Sequence, residues 1–244
     1  MKAALVTGAL GGIGRAMCDE FTAAGYAVIA TDREAGTVPC HRFVQIELRE
    51  LCGDDAGRDR IATTLRDALG DVPLKVIVNN AAVQILAPTR DVAIGHWRET
   101  LDTNLIAPFM LTQTLLCELE ASHGSVINVA SIHAVATKPG FVCYATSKAA
   151  LVGLTRAMAV DLGSRVRVNA LVPAAVATPM LLEGFVGAED GLDALGGMHP
   201  IGRIANPSEV ARAAVLLASD GASFVTGAAL HVDGGIGARL HDPV

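Results

Sequence analysis

The chain is poor in aromatic side chains: phenylalanine, tyrosine and tryptophan make up 4% of it, with a single tryptophan. A core short of rings must be built from Ala, Val, Leu, Ile and Gly, which suits helices packed closely on a parallel sheet. Paired cysteines are missing too. The five present, Cys18, Cys40, Cys52, Cys117 and Cys143, are odd in number and lack C-x-x-C spacing. Neither a disulfide framework nor a metal site is therefore expected, and reduced thiols point to a cytoplasmic protein. Positive charge is scarce: 19 basic against 25 acidic side chains leave a net charge of −6 with no basic run. That balance argues against a nucleic-acid partner. No apolar run approaches the roughly 20 residues that span a bilayer, so no membrane partner is expected. The first apolar run meets Gly8 too soon for a signal peptide.

What is present is hydrophobicity, 51% of residues, in a repeating order. Short apolar runs at 3–6, 27–31, 43–46, 74–78, 125–130, 166–172 and 228–232 read as buried strands. Helix patterns fall between them, at about 13–24, 54–69, 96–120, 144–162 and 207–218. Alternation of this kind predicts one α/β domain over 1–244, a Rossmann-type doubly wound parallel sheet. Segment 174–204, with scattered glycines, Pro179, Pro200 and weak periodicity, reads as a substrate-side loop able to act as a lid.

Chemistry concentrates at strand ends. The first run closes on Thr7-Gly8-Ala9-Leu10-Gly11-Gly12-Ile13-Gly14 and leads straight into a helix. Side chains at Gly8, Gly12 or Gly14 would hold a pyrophosphate away from that helix N-terminus, whose free N–H groups and dipole attract it. Asp32, just past the second strand, is placed to accept from both ribose hydroxyls of an adenosine. Its charge would repel a 2′-phosphate, which favours NAD over NADP. Arg33 beside it is a guanidinium able to pair with such a phosphate. Glu47-Leu48 follows the third strand, where the sheet edge would meet an adenine ring. The small residues of Asn79-Asn80-Ala81-Ala82 let backbone approach a cofactor.

Asn104 falls inside the 96–120 helix pattern, where Asn is a poor former; it is either exposed and neutral or it disturbs the backbone for a purpose. Tyr144 and Lys148, four apart at the head of an Ala/Leu/Val-rich helix, bring a phenol and an ammonium to one face. The positive charge favours phenolate and is expected to pull the tyrosine below its free pKa of about 10, making it a general acid/base near neutral pH.

Taken together, Thr7-Gly8…Gly12-Ile13-Gly14, Asn79-Asn80-Ala81, Asn104, Ser131, Tyr144…Lys148, Pro173 and Thr178-Pro179-Met180 resemble the short-chain dehydrogenase/reductase family over nearly the whole length. The resemblance implies a nicotinamide cofactor and hydride transfer between an alcohol and a ketone or aldehyde. It makes Tyr144 the acid/base on the substrate oxygen, Lys148 its pKa-lowering partner on the nicotinamide ribose, and Ser131 a hydrogen-bond donor to substrate. Asn104 would hold a water linking Lys148 to solvent. Gly8, Gly12, Ile13 and Gly14 would line the pyrophosphate, and Asp32 the ribose. Glu47 and Leu48 would meet the adenine, Asn80, Ala81 and Ala82 the cofactor further along, and Val176 and Thr178 the carboxamide. The resemblance also implies a homotetramer, which the small-residue stripe Ala149, Ala150, Gly153 and Ala157 would allow. Three departures stand out: Ala82 where glycine is common, Glu47 for aspartate, and Ala174 for the glycine after proline. Alanine at the last would be strained if that position needs φ > 0.

On the substrate side, His133 and Gln84 can hydrogen-bond a polar small molecule. Segment 131–144 resembles that of sugar dehydrogenases. Gln84 with His133 resembles part of a hydroxybutyrate dehydrogenase site, although Phe141 stands where that site has lysine. The leading expectation is an NAD-dependent dehydrogenase of a sugar, polyol or hydroxy acid. The alternatives are an NADPH-dependent ketoacyl-type carbonyl reductase and a dinucleotide-binding protein without turnover.

Overall fold

A computed structural model describes residues 1–187 and 189–240; the expected domain's last residues 241–244, and position 188 of the 174–204 segment, lie outside them. Each apolar run becomes a strand, β1 (Lys2–Thr7), β2 (Tyr26–Asp32), β3 (Arg42–Gln45), β4 (Leu74–Asn79), β5 (Ser125–Val129), β6 (Arg167–Pro173) and β7 (Ala229–Val232), and all but the edge strands β3 and β7 are covered on both faces. Among the described residues they form one parallel sheet in the order β3-β2-β1-β4-β5-β6-β7. Continuous Val/Ile/Leu/Ala runs fit such a sheet because both faces are buried. The strand order reverses between β1 and β4, which opens a crevice at their carboxyl ends, Thr7 and Asn79.

The helices, in chain order, are α1 (Gly12–Ala23), α2 (Asp55–Leu69), α3 (Ile94–Leu101), α4 (Ala107–Thr114), α5 (Leu116–Ala121), α6 (Val142–Leu162), α7 (Pro179–Glu183), α8 (Glu189–Met198) and α9 (Pro207–Ala218). One core layer packs Ile61, Leu65, Leu111, Leu115 and Met158 from α2, α4 and α6 on the sheet. The opposite layer packs Met17 and Phe21 of α1 against Val210, Ala214 and Leu217 of α9. Few rings are buried; small side chains instead let the helices sit close, as the composition requires.

Two expected elements differ. The 96–120 pattern is not one helix: between α3 and α4 the backbone widens into a π-turn, Asp102–Ile106, and a second break falls at Leu115 (φ −109°). Asn104 sits in the π-turn and is fully buried, so its poor helix propensity marks a real disturbance rather than a neutral surface position. Segment 174–204 is likewise not loop throughout, since α7 and α8 lie in it. Thr178 caps α7 by accepting from Leu181 N–H at 3.3 Å, and Pro179 takes the first helical position. Among the described residues no helix is long and apolar enough to cross a membrane.

Candidate active site

The glycine turn lies at the crevice. Gly8 has φ +63°, and a Cβ on it would stand 2.8 Å from Ala81 Cα; a Cβ on Gly14 would stand 2.0 Å from Gly8 O. Asn80 locks this packing. Its Nδ2 donates to Thr7 O (2.9 Å) and Gly8 O (3.1 Å), while Thr7 Oγ1 accepts from the N–H groups of Asn80 and Ala81, each at 3.0 Å. The N-cap of α1 is Gly11, with no side-chain cap and no acid in the first turn. The backbone N–H groups of Gly12, Ile13 and Gly14 therefore have no intrahelical acceptor and no competing carboxylate, a donor set that fits a diphosphate.

Asp32 stands at the end of β2 with Oδ2 accepting from Leu10 N–H at 3.0 Å, which fixes the carboxylate beside the turn. Arg33 beside it is exposed, with its Nε 3.7 Å from Glu34 Oε1. Glu47 caps the following short turn by accepting from Arg49 N–H (3.1 Å), and Leu48 is buried in the core. Across the crevice Val176 is buried, and a Cβ on Gly12 would lie 2.8 Å from Thr178 Cγ2. The 174–204 segment thus closes directly on the glycine turn. Ala174 is not strained, because its φ is not positive.

Beyond β5 the chain turns at Ser131 and returns as α6, which brings Ser131, Tyr144 and Lys148 together. Lys148 Nζ lies 5.7 Å from the Tyr144 ring centre, and the Ser131 side chain is near enough to the Tyr144 phenol to lower its pKa. Lys148 is 2% exposed and donates to Val129 O at 2.8 Å; burial brings its pKa down to about 8. The expectation that the lysine pulls Tyr144 below its ordinary pKa is corrected here. Burial raises the phenol, and the opposing influence of the nearby Ser131 side chain is smaller. The ammonium is drawn to a backbone carbonyl, and desolvation of the phenolate outweighs what remains of its field.

The lysine's depressed pKa has a consequence for stability. Below about pH 8 the folded state carries a buried charge at a cost. Between about 8 and 10.5 the unfolded chain binds the extra proton, so this contribution to stability rises with pH. Lys148→Met is expected to raise the melting temperature at pH 7, by up to about 2–3 kcal/mol of stability, with the gain vanishing near pH 10. Calorimetry at both pH values checks it.

The Asn104 side chain is held on three sides. Its Oδ1 accepts from Val83 N–H (2.8 Å), and its Nδ2 donates to Val83 O (2.9 Å) and Ser147 Oγ (3.0 Å). Ser147 in turn donates to Tyr144 O at 2.7 Å. Both amide protons are spent on tying the loop after β4 to α6. In the π-turn, Ala107 N–H reaches back five residues to Asp102 O, which takes main-chain carbonyls off the usual ladder.

His133 faces the site. Its ring lies edge-on to Tyr144 (5.8 Å) and stacks flat on Phe141 (4.2 Å), its Nδ1 bonds Thr137 Oγ1 at 2.8 Å, and its N–H donates to Ser131 Oγ at 3.2 Å. Burial and then Lys138 lower its pKa, which keeps it neutral near pH 7. Gln84 and Ala82 are exposed on the loop after β4, which bridges to Phe141 through Ala87. Phe141, read in the sequence only as a departure from a lysine, joins the site here, and Val83 and Ser147 escaped the sequence reading. Only the aromatic spacing of His133, Phe141 and Tyr144 could have pointed to the place of Phe141 in it.

A family model described as enoyl-(acyl carrier protein) reductase matches residues 8–237. An acetoacetyl-CoA reductase of Acinetobacter sp. is 32% identical over 96% of this chain and 97% of that protein. The D-threitol dehydrogenase of Mycolicibacterium smegmatis is 34% identical over 96% and 92%. Among solved structures, Thermoplasma acidophilum aldohexose dehydrogenase in ligand-free form superposes with a TM-score of 0.91 at 30% identity, covering 100% of this chain and 96% of that one.

The chain belongs to the short-chain dehydrogenase/reductase family. As a short-chain dehydrogenase/reductase it is an NAD(P)-dependent oxidoreductase interconverting secondary alcohols and ketones. Its relatives span both reduction of a carbonyl and oxidation of a polyol or sugar.

Proposed function

We propose that the protein is an NAD-preferring dehydrogenase of a polyol or sugar alcohol group, with Tyr144 as the acid/base. The observation that carries this reading is the meeting of Ser131, Tyr144 and Lys148 beside an uncapped, glycine-lined helix N-terminus. A bound nicotinamide supplies hydride acceptance and return. The Ser131 hydroxyl holds the substrate oxygen, and the Tyr144 phenol removes its proton in oxidation or supplies one in reduction. Lys148 contributes the positive charge that favours phenolate, together with donors for the ribose hydroxyls. A main-chain carbonyl of the π-turn, not the Asn104 side chain, anchors the water that returns the proton to solvent. Gly8, Gly12, Ile13, Gly14, Asn80, Ala81 and Ala82 accommodate the cofactor's phosphates and ribose, while Val176 and Thr178 take the carboxamide. His133 and Gln84 offer hydrogen bonds to substrate hydroxyls, and α7 and α8 act as the lid.

Preference for NAD rests on Asp32, whose carboxylate is fixed beside the glycine turn, where an adenosine ribose would lie, and whose charge would repel a 2′-phosphate. Asp32→Ser should weaken NAD binding about tenfold and relieve the exclusion of NADP. Steady-state rates with each cofactor test this, and a wild-type enzyme that prefers NADP would refute it. A panel of polyols, aldoses and hydroxy acids read by NADH absorbance tests the substrate class.

We also place the protein in the cytoplasm as a homotetramer. Reduced cysteines support the location, and the exposed stripe Ala149, Gly153 and Ala157, with Val160 84% exposed, supports assembly through α6. Light scattering should give four times the chain mass, and a monomer would refute it.

A further inference from the structure

A line of buried polar side chains runs from the sheet to the catalytic helix. Asn79 and Asn128 face each other across β4 and β5 in register, and Asn79 Nδ2 donates to Asn128 Oδ1 at 2.8 Å. Asn128 Nδ2 donates to Thr155 Oγ1 (2.9 Å), and Thr155 Oγ1 donates to Leu151 O (2.8 Å). All three residues are nearly or fully buried. At these positions apolar residues of similar shape would serve stability about as well, because a buried hydrogen bond contributes little net beyond what both partners lose on leaving water. What a hydrogen-bonded line adds is register: apolar contacts slide, directed ones do not.

Register matters here because Thr155 and Lys148 are seven residues apart, two turns along the same face of α6. Where Thr155 meets β5 therefore sets where Lys148 meets it, and Lys148 Nζ lands on the carbonyl of Val129, the residue next to Asn128. Little else holds it. Its surroundings act on it through burial alone, with no ionic contribution from α3, the π-turn, β5 or β6. The titratable groups near it are Tyr144 on its own helix and His133 of the turn after β5, which contacts Tyr144.

We propose that the Asn79–Asn128–Thr155 line is a clamp that places the Lys148 ammonium, making Asn128 and Thr155 positioning residues for the Tyr144–Lys148 pair. The proposal rests on the dehydrogenase reading for its consequence, though not for its geometry. Loosening the clamp lets α6 shift and water reach Nζ, which returns the lysine toward its ordinary protonation and changes the field at the phenol.

Thr155→Val removes the hydroxyl at constant shape, and Thr155→Ser restores it. Two readouts are needed. The first, reductive methylation of Lys148 followed by peptide mass spectrometry, needs neither substrate nor cofactor. The second is the pH midpoint of kcat/KM. With labelling read near pH 10.5, where at least about half of the amine is neutral in either setting and access decides the rate, Thr155→Val should speed Lys148 labelling severalfold; it should also move the midpoint by about half a pH unit or more, and Thr155→Ser should return both to wild type. Asn79→Ala, which cuts only the far end of the line, should move both in the same direction by less. It also carries the test should Thr155→Val fail to fold. A variant that melts earlier yet keeps wild-type labelling and midpoint overturns the clamp, as does a serine variant that fails to restore them. If the wild type turns over none of the alcohols while the labelling pattern holds, the dehydrogenase reading fails and the clamp stands.

Discussion

Tyr144→Phe should lower kcat/KM for any alcohol substrate by about 10²–10⁴-fold, the range associated with removing a positioned acid/base, and leave cofactor affinity within about twofold. The ring stays in place against His133 and Phe141, so packing at 5.8 and 6.1 Å is preserved and only the hydroxyl is lost. What disappears is the proton transfer. In oxidation the phenol must first be deprotonated, and burial holds its pKa up in the free protein. Wild-type oxidation should therefore rise with pH and reach its plateau only on the alkaline side, while reduction should show the opposite trend. The phenylalanine variant should lose that limb as well as the rate. Equal turnover by Tyr144→Phe and wild type, with NADH binding confirmed by fluorescence titration, would remove Tyr144 from the mechanism.

The rise in the Tyr144 pKa also shows which part of the site was legible in the chain. Apolar runs bounded by glycine predicted seven strands to within a residue or two, because a buried parallel strand has to be continuously apolar. The glycine turn was legible for a similar reason: contacts of 2.0 and 2.8 Å leave no alternative residue at Gly14 and Gly8. The Tyr-x-x-x-Lys spacing placed both side chains on one face, yet a spacing carries no information about desolvation. The sign of the pKa shift was therefore wrong until burial was known. Asn104 was legible as a poor helix former and as a match to the family's motif, but not in what its side chain holds. Its partners, Val83 and Ser147, are 21 and 43 residues distant, and no local pattern connects them. The helix α7 was hidden because it is only five residues long and is followed by Gly184 and Gly187, and α8 because Gly191, Gly196 and Gly197 interrupt its periodicity. Phe141 became part of the site by stacking on His133, an interaction set by the turn between β5 and α6.

Gly14→Ala should be the most damaging single methyl in the molecule. An alanine usually strengthens a helix interior over glycine by about 0.5–1 kcal/mol, so propensity alone predicts a gain. Here the added Cβ would sit 2.0 Å from Gly8 O and 2.8 Å from Ala9 Cα, both backbone atoms that no rotamer change can move aside. Relief comes only if α1 backs away from the turn, at about 3 kcal/mol or more, or a fall of about 10 °C in Tm for a domain of this size. That same movement carries the N–H groups of Gly12 and Ile13 away from where a diphosphate would lie. NADH affinity should fall at least about tenfold even in the fraction that stays folded. Gly95→Ala is the control: near the start of α3, where a Cβ meets nothing within 4 Å, it should leave Tm and NADH binding unchanged or raise Tm slightly. Differential scanning fluorimetry with and without NADH separates the two effects, because the stabilisation conferred by the cofactor should shrink for Gly14→Ala and persist for Gly95→Ala. A Gly14→Ala protein that melts and binds like wild type would mean that α1 does not press on the turn, and the close approach on which the cofactor reading depends would be lost with it.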